Sequence, residues 1–178
     1  AAWFDADGDG DLDLYLVSGG SSKPAGDPHY QDRLYLTSAA GALMPAPAGT
    51  LPDHAVSGSC VVPCDYDRDG DLDLYIAHWI EGGNSGVGSL FENDGNANFT
   101  DVSFTTGLFG LVDSDFAANF SDINNDDWPD ILLAADFGNS RVFINNQNGT
   151  FTNTTNPAVI TDENGMGAAV GDYDNDGD

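Results

Sequence analysis

The sequence predicts an all-β chain of four-stranded antiparallel blades, and three observations carry that prediction. An aspartate-rich loop recurs four times, with first aspartates at 5, 65, 122 and 172, so the periods are 60, 57 and 50 residues. The first three loops each run straight into a segment ("LDLYLVS", "LDLYIAHW", "PDILLAAD") that is apolar on both alternating faces. Such a strand is buried on both sides rather than half wet. Helical periodicity is hard to find anywhere in the 178 residues. Units of about 50 residues, each holding four strands and following one another in series, have the period of β-propeller blades.

The elements follow in a fixed order. Strand A comes first, as "SGSCVVPCDY", "FAANFSDI" and "GMGAAVGDY", and leads into the aspartate loop. Strand B is the doubly apolar segment. Strands C and D flank a tight turn in "RLYLTSAAGALM", "SLFENDGNANFTDV" and "RVFINNQNGTFTNT". Their "NDG" and "NQNG" turns supply the left-handed positions that hairpins need. The repeats read as 1–54, 55–111, 112–161 and the start of a fourth at 162–178. Because "AAVGDYDNDGD" at the end aligns with "AAWFDADGDGD" at the start, the sequence is expected to be an excerpt of a longer propeller.

Charge narrows the function. Four Lys and Arg stand against thirty acids, for a net −26, and twenty-seven of those acids are Asp. That field repels phosphates and anionic lipid, so neither nucleic acid binding nor membrane insertion is expected. Eighteen of the acids lie in the four loops, so the charge is localised and not a solvating coat. Short carboxylates in tight loops suit turns and hard cations.

Loop 1 places Asp5, Asp7, Asp9 and Asp13 at positions 1, 3, 5 and 9, with Gly10 at position 6 and the carbonyl of Asp11 at position 7. Loop 2 repeats this with Asp65, Asp67, Asp69, Asp71 and Asp73 around Gly70. Loop 3 keeps Asp122, Asn124, Asp126 and Asp130 and has Trp128 at position 7, but Asp127 replaces the glycine. Its turn is therefore expected to be more strained. Loop 4 supplies Asp172, Asp174, Asp176 and Asp178 before the sequence ends. Oxygen donors on alternate residues of a curled loop converge on one point and select Ca²⁺, with Mg²⁺ a weaker fit. An EF-hand is excluded, since position 12 holds Leu16, Ile76 or Leu133 inside a strand instead of Glu.

The D-x-D-x-D-G-x-x-D loop before "LDLYL" resembles the FG-GAP/VCBS repeats of integrin α-subunit propellers. "SGSCVVPCDYDRDGDLDLYIAHW", "LFENDGNANFTDVS" and "TDENGMGAAVGDYDNDGD" most resemble the cartilage-acidic-protein-like (ASPIC/UnbV-associated) secreted propellers. The resemblance implies a Ca²⁺-binding propeller, usually extracellular, and carries the calcium role onto the loop residues alone. At extracellular calcium near a millimolar and an affinity near 10⁻⁴ M, each filled site would add roughly 1.4 kcal/mol of stability. Cytosolic calcium would leave the loops empty, so a secreted, cell-surface or periplasmic location is expected.

Catalytic signals are sparse. His29, His54 and His78 read as isolated, and no nucleophile elbow or phosphate loop occurs. "GMGAAVG" matches strand A of the other repeats and is not a dinucleotide fingerprint. Cys60 and Cys64 read as small buried side chains, a bulge-assisted disulfide being the alternative, because an extended strand would hold them roughly 13 Å apart. Of the sequons at Asn98, Asn119, Asn148 and Asn153, those in the hairpins, Asn98 and Asn148, are the accessible ones and Asn119 is not. The longer connections, 19–32, 45–55, 81–89 and 103–115, gather on the face opposite the aspartate loops, where recognition of a protein or glycan is expected. His29, Tyr30, His78 and Trp79 are the candidate ligand residues there. The expected function is a non-catalytic extracellular binding or adhesion scaffold. The alternatives are a filament or multimer of these repeats and the propeller part of a carbohydrate-active enzyme.

Overall fold

A computed structural model of the chain describes residues 1–24, 26–79, 88–108, 115–136, 140–162 and 164–171. Among them, twelve strands form three four-stranded antiparallel sheets, each a meander in chain order. Blade 1 comprises β1 (Ala2–Phe4), β2 (Asp13–Leu16), β3 (Arg33–Thr37) and β4 (Leu43–Pro45). Blade 2 comprises β5 (Gly58–Cys64), β6 (Asp73–His78), β7 (Ser89–Asn93) and β8 (Phe99–Asp101). Blade 3 comprises β9 (Asp115–Ser121), β10 (Asp130–Ala135), β11 (Arg141–Asn145) and β12 (Phe151–Asn153). A single 3₁₀ turn at Pro28–Tyr30 breaks the β2–β3 connection, capped by the Asp27 side chain, which accepts from His29 N–H.

The blades stack through their faces, with β1 against β5 and β5 against β9. Alternation within each strand decides which neighbour a side chain meets. The row Leu74–Phe91 of blade 2 packs onto Phe4, Tyr15 and Leu34 of blade 1. The row Ile131–Phe143 of blade 3 packs onto Tyr75, Ala77 and Leu90 of blade 2. Every residue of β6 is buried, as a doubly apolar strand predicts. β2 departs from that expectation: Asp13 and Tyr15 are buried, while Leu14 and Leu16 are half-exposed. The reason is positional, because among the described residues only blade 2 has a four-stranded blade on each side. The matching row of blade 1, Trp3–Leu14–Tyr35, has none, and Trp3 is 56% exposed.

Cys60 and Cys64 are free thiols and half-buried, so the disulfide alternative is not realised and burial is less complete than expected. Burial, followed by the charges of Asp73 and Asp65, pushes the Cys64 thiol up to about 12. It is therefore a poor nucleophile and a poor metal ligand.

Asp32 marks where the fold is sensitive to pH. Its carboxylate accepts from Tyr15 O–H at 2.6 Å and from Ser18 N–H at 2.6 Å, and burial raises it to about 6. A folded value above the unfolded 3.8 means that ionisation opposes folding. This contribution is favourable below about pH 4 and is lost as pH rises towards 6. Asp32→Asn keeps one acceptor for the tyrosine, and it should flatten the fall in melting temperature between pH 4 and 6, worth on the order of 2 kcal/mol.

Candidate metal centre

Each aspartate loop is a chain of carboxylate-to-backbone turns, the local structure that short acidic side chains favour. In loop 1, Asp5 accepts from Gly8 N–H and Gly10 N–H, both at 2.9 Å, which curls the loop back over position 1. Asp7 accepts from Asp9 N–H and Asp9 from Asp11 N–H. Loop 2 repeats the set: Asp65 takes Gly70 N–H, Asp67 takes Asp69 N–H, and Asp69 takes Asp71 N–H. Loop 3 follows suit, with Asp122 accepting from Asp126 and Asp127 N–H and Asp126 from Trp128 N–H.

Position 9 closes the ring. Asp13, Asp73 and Asp130 are fully buried, and each spends one oxygen on the N–H of position 2 (Ala6, Tyr66, Ile123). The other oxygen accepts from the end of the third strand, at Thr37, Asn93 and Asn145 N–H. The third and ninth positions of a loop are thereby drawn onto its first.

The result is two carboxylate cages. Oxygens of Asp5, Asp7 and Asp13 lie within 4.8 Å of one another, and so do oxygens of Asp65, Asp67 and Asp73. Asp9, Asp11, Asp69 and Asp71 lie outside these groupings; the first three are exposed. Loop 4, with Asp172, Asp174, Asp176 and Asp178, falls outside the described residues.

Loop 3 is built differently. Asn124 and Gln147 donate side-chain amides to Asp126 at 3.0 Å each, and these bonds help to hold its carboxyl below the usual range. Asp127 sits at φ 68°, so the strained turn expected there is present. Position 4 is left-handed too: Gly8, Arg68 (φ 62°) and Asn125 (φ 58°). Arg68 offsets that cost by donating to the Asp127 carbonyl at 3.0 Å and stacking 5.5 Å from the centre of the Trp128 ring.

The electrostatics of the two cages suit a cation. Burial, then repulsion from Asp13 and Asp9, raises Asp7, and burial with Asp69 raises Asp67. Burial raises Asp73 to about 7. Asp65 Oδ1 is buried without a hydrogen-bond partner. A buried carboxylate oxygen left unpaired beside two other carboxylates is costly unless an ion completes it. Hard oxygens alone, three carboxylates per cage, suit a dication of the calcium type.

The opposite face corrects several expectations. His54 and His78 are not isolated: their rings lie 4.9 Å apart, and His54 also packs against Phe91. His54 reaches Ser89 Oγ through Nε2 and Asp101 through Nδ1, each at 3.5 Å. This outlines a serine–histidine–carboxylate array, but Ser89 is only 2% exposed and so is closed to a substrate. Tyr30 and His78 are buried, and the Tyr30 hydroxyl bonds the Lys23 backbone. Trp79 is half-buried and donates to Asp136 of blade 3. Of the four candidate ligand residues only His29 is well exposed, and Asp27 holds it. Asn98, Asn148 and Asn153 are exposed, whereas the Asn119 amide is taken up by the Ala168 carbonyl.

A comparison with curated proteins gives no match. The sequence profile of the FG-GAP-like repeat matches residues 5–76, 65–133 and 122–178. Each match opens on position 1 of a loop, and the first two close inside the β-strand after the next loop. Loop, doubly buried strand and repeat spacing therefore agree over almost the whole sequence, and the chain belongs to the FG-GAP-like repeat family.

Proposed function

We propose that this chain is a calcium-stabilised segment of a secreted, non-catalytic propeller that serves as a binding or adhesion scaffold, close to the cartilage-acidic-protein-like branch of its family. The observation that carries the reading is the pair of cages, Asp5–Asp7–Asp13 and Asp65–Asp67–Asp73, with the orphaned oxygen of Asp65. Bound calcium would supply charge neutralisation and cross-link each loop to its own strand B. Asp9, Asp69 and the backbone at positions 7 would complete the donor sets. Loop 3, where side-chain amides already occupy an oxygen of the Asp126 carboxylate, would bind more weakly.

Recognition would lie at the end of the blades away from the loops. A cavity of about 470 Å³ there is framed by Gln31, Arg33, Tyr35, Pro47, Leu51 and Asp53. Its size and its mix of aromatic, apolar and charged groups suit a peptide side chain or a sugar ring. A second reading is assembly with further blades, for example those of other copies. The exposed row Trp3–Leu14–Tyr35 favours it, since its counterparts in blades 2 and 3 are covered by a neighbouring blade.

A thermal melt tests the calcium reading. Millimolar Ca²⁺ should raise the melting temperature over an EGTA control by about 5 °C or more, from two filled sites at roughly 1.4 kcal/mol each, with Mg²⁺ giving less. Identical melts in Ca²⁺ and EGTA would reject it.

A further inference from the structure

Two buried asparagine side chains join the aspartate loops to one another, in addition to the exposed Arg68 contact between loops 2 and 3. Asn93, at the end of β7, donates its amide Nδ2 to the carbonyl of Ala6 in loop 1 at 2.9 Å and to Leu72 of its own loop at 3.2 Å. Asn145, at the end of β11, does the same to Tyr66 in loop 2 at 2.8 Å and to Pro129 at 3.2 Å. Both asparagines are buried, and Asn93 Oδ1 has no hydrogen-bond partner. A buried amide with an unsatisfied oxygen is costly, so the site is specified by its two donors.

The contacts form an unbroken chain. Ala6 lies between Asp5 and Asp7; its N–H is held by Asp13, and its carbonyl accepts from the Asn93 side chain and from the Ala97 N–H of the following hairpin. The Asn93 N–H is in turn held by Asp73 of loop 2, whose other oxygen takes Tyr66 N–H. The Tyr66 carbonyl is held by Asn145, whose N–H bonds Asp130 of loop 3. Apart from the two asparagines, every link is a carboxylate of a cage or loop, or a peptide flanked by such carboxylates. Fixing Asp73 in one loop therefore fixes the amide that orients Asp5 and Asp7 in the loop before it.

Resting on the calcium reading above, we propose that Asn93 and Asn145 are positioning residues that couple the metal loops of adjacent blades, so that filling one loop tightens its neighbours. Blade 1 contains the comparison residue. Thr37 occupies the position of Asn93, and its hydroxyl bonds only Leu12 of its own loop. Asn93→Thr should thus keep the bond within blade 2 and lose the reach to Ala6.

The test is a calcium titration of the whole chain followed by amide NMR. Gly10, Gly70 and Asp127 N–H, which donate to the first carboxylates of loops 1, 2 and 3, report each loop separately. Asp67→Asn, which weakens loop 2, should move the calcium midpoints of Gly10 and Asp127 upward by about five-fold, the usual scale of such coupling. In the Asn93→Thr background it should still move Asp127 and move Gly10 clearly less, the Ala97 N–H being the remaining tie to Ala6. Asn145→Thr, combined with Arg68→Ala to remove the other bridge to loop 3, should give the reverse pattern, which keeps the test open if Asn93→Thr folds poorly. Unchanged midpoints at Gly10 and Asp127 in Asp67→Asn would overturn the coupling while leaving calcium binding intact. No calcium-dependent shift at any of the three amides would overturn the calcium reading itself, and the coupling with it.

Discussion

Asp73→Ala is expected to destabilise the chain by about 3 kcal/mol even when metal is chelated away. The carboxylate holds Tyr66 N–H at 3.3 Å and Asn93 N–H at 2.8 Å in a fully buried position. Alanine leaves both donors without a partner where water does not reach, and each orphaned group costs about 1–3 kcal/mol. Against that, the variant no longer buries a carboxyl raised to about 7, which returns part of the loss near neutral pH. The net effect should therefore be larger at pH 5 than at pH 8, because the wild type is favoured where Asp73 is protonated. Asp73→Asn offers one oxygen in place of two and should fall between the two. Urea melts of the three proteins in EGTA, at both pH values, check the order. An alanine variant as stable as the wild type in EGTA would mean that position 9 acts only as a metal ligand.

The second large effect contrasts two leucines at the same position of the repeat. Leu74→Ala should cost about 3–4 kcal/mol, and Leu14→Ala no more than about 1.5 kcal/mol. Leu74 is fully buried between blades 1 and 2, beside Phe91, Tyr15 and Leu34. Leu14 follows an aspartate in the same "DLDLY" context, yet it is half-exposed on the face of blade 1 that no blade covers. Equilibrium unfolding of both variants tests whether stability comes from blade-to-blade burial or from each sheet alone. Equal costs would contradict the stacking described above.

These two residues also show where the sequence stops being informative. "LDLYL" and "LDLYI" are nearly the same string, and each predicts a doubly buried strand. Burial on the second side depends on the neighbouring blade, which no local pattern encodes. The loops were legible because their donors alternate within nine residues and their turn needs a glycine. The second left-handed position was not, since Arg68 and Asn125 carry no glycine signal there. Asn93 reads only as the first residue of "NDG" and Asn145 as the residue ahead of "NQNG", because their partners in the preceding blade lie 87 and 79 residues away. The His54–His78 stack was hidden for a similar reason. One ring lies in the connection before β5 and the other at the end of β6, and blade packing alone brings them together.

We propose that the aspartates of loops 1 and 2 enclose calcium. A crystal grown in millimolar CaCl₂, with anomalous difference maps collected at long wavelength, addresses it most directly. One peak is expected among Asp5, Asp7 and Asp13 and another among Asp65, Asp67 and Asp73, each at about 2.3–2.6 Å from its oxygens. Well-ordered loops with no anomalous signal in either cage would contradict it.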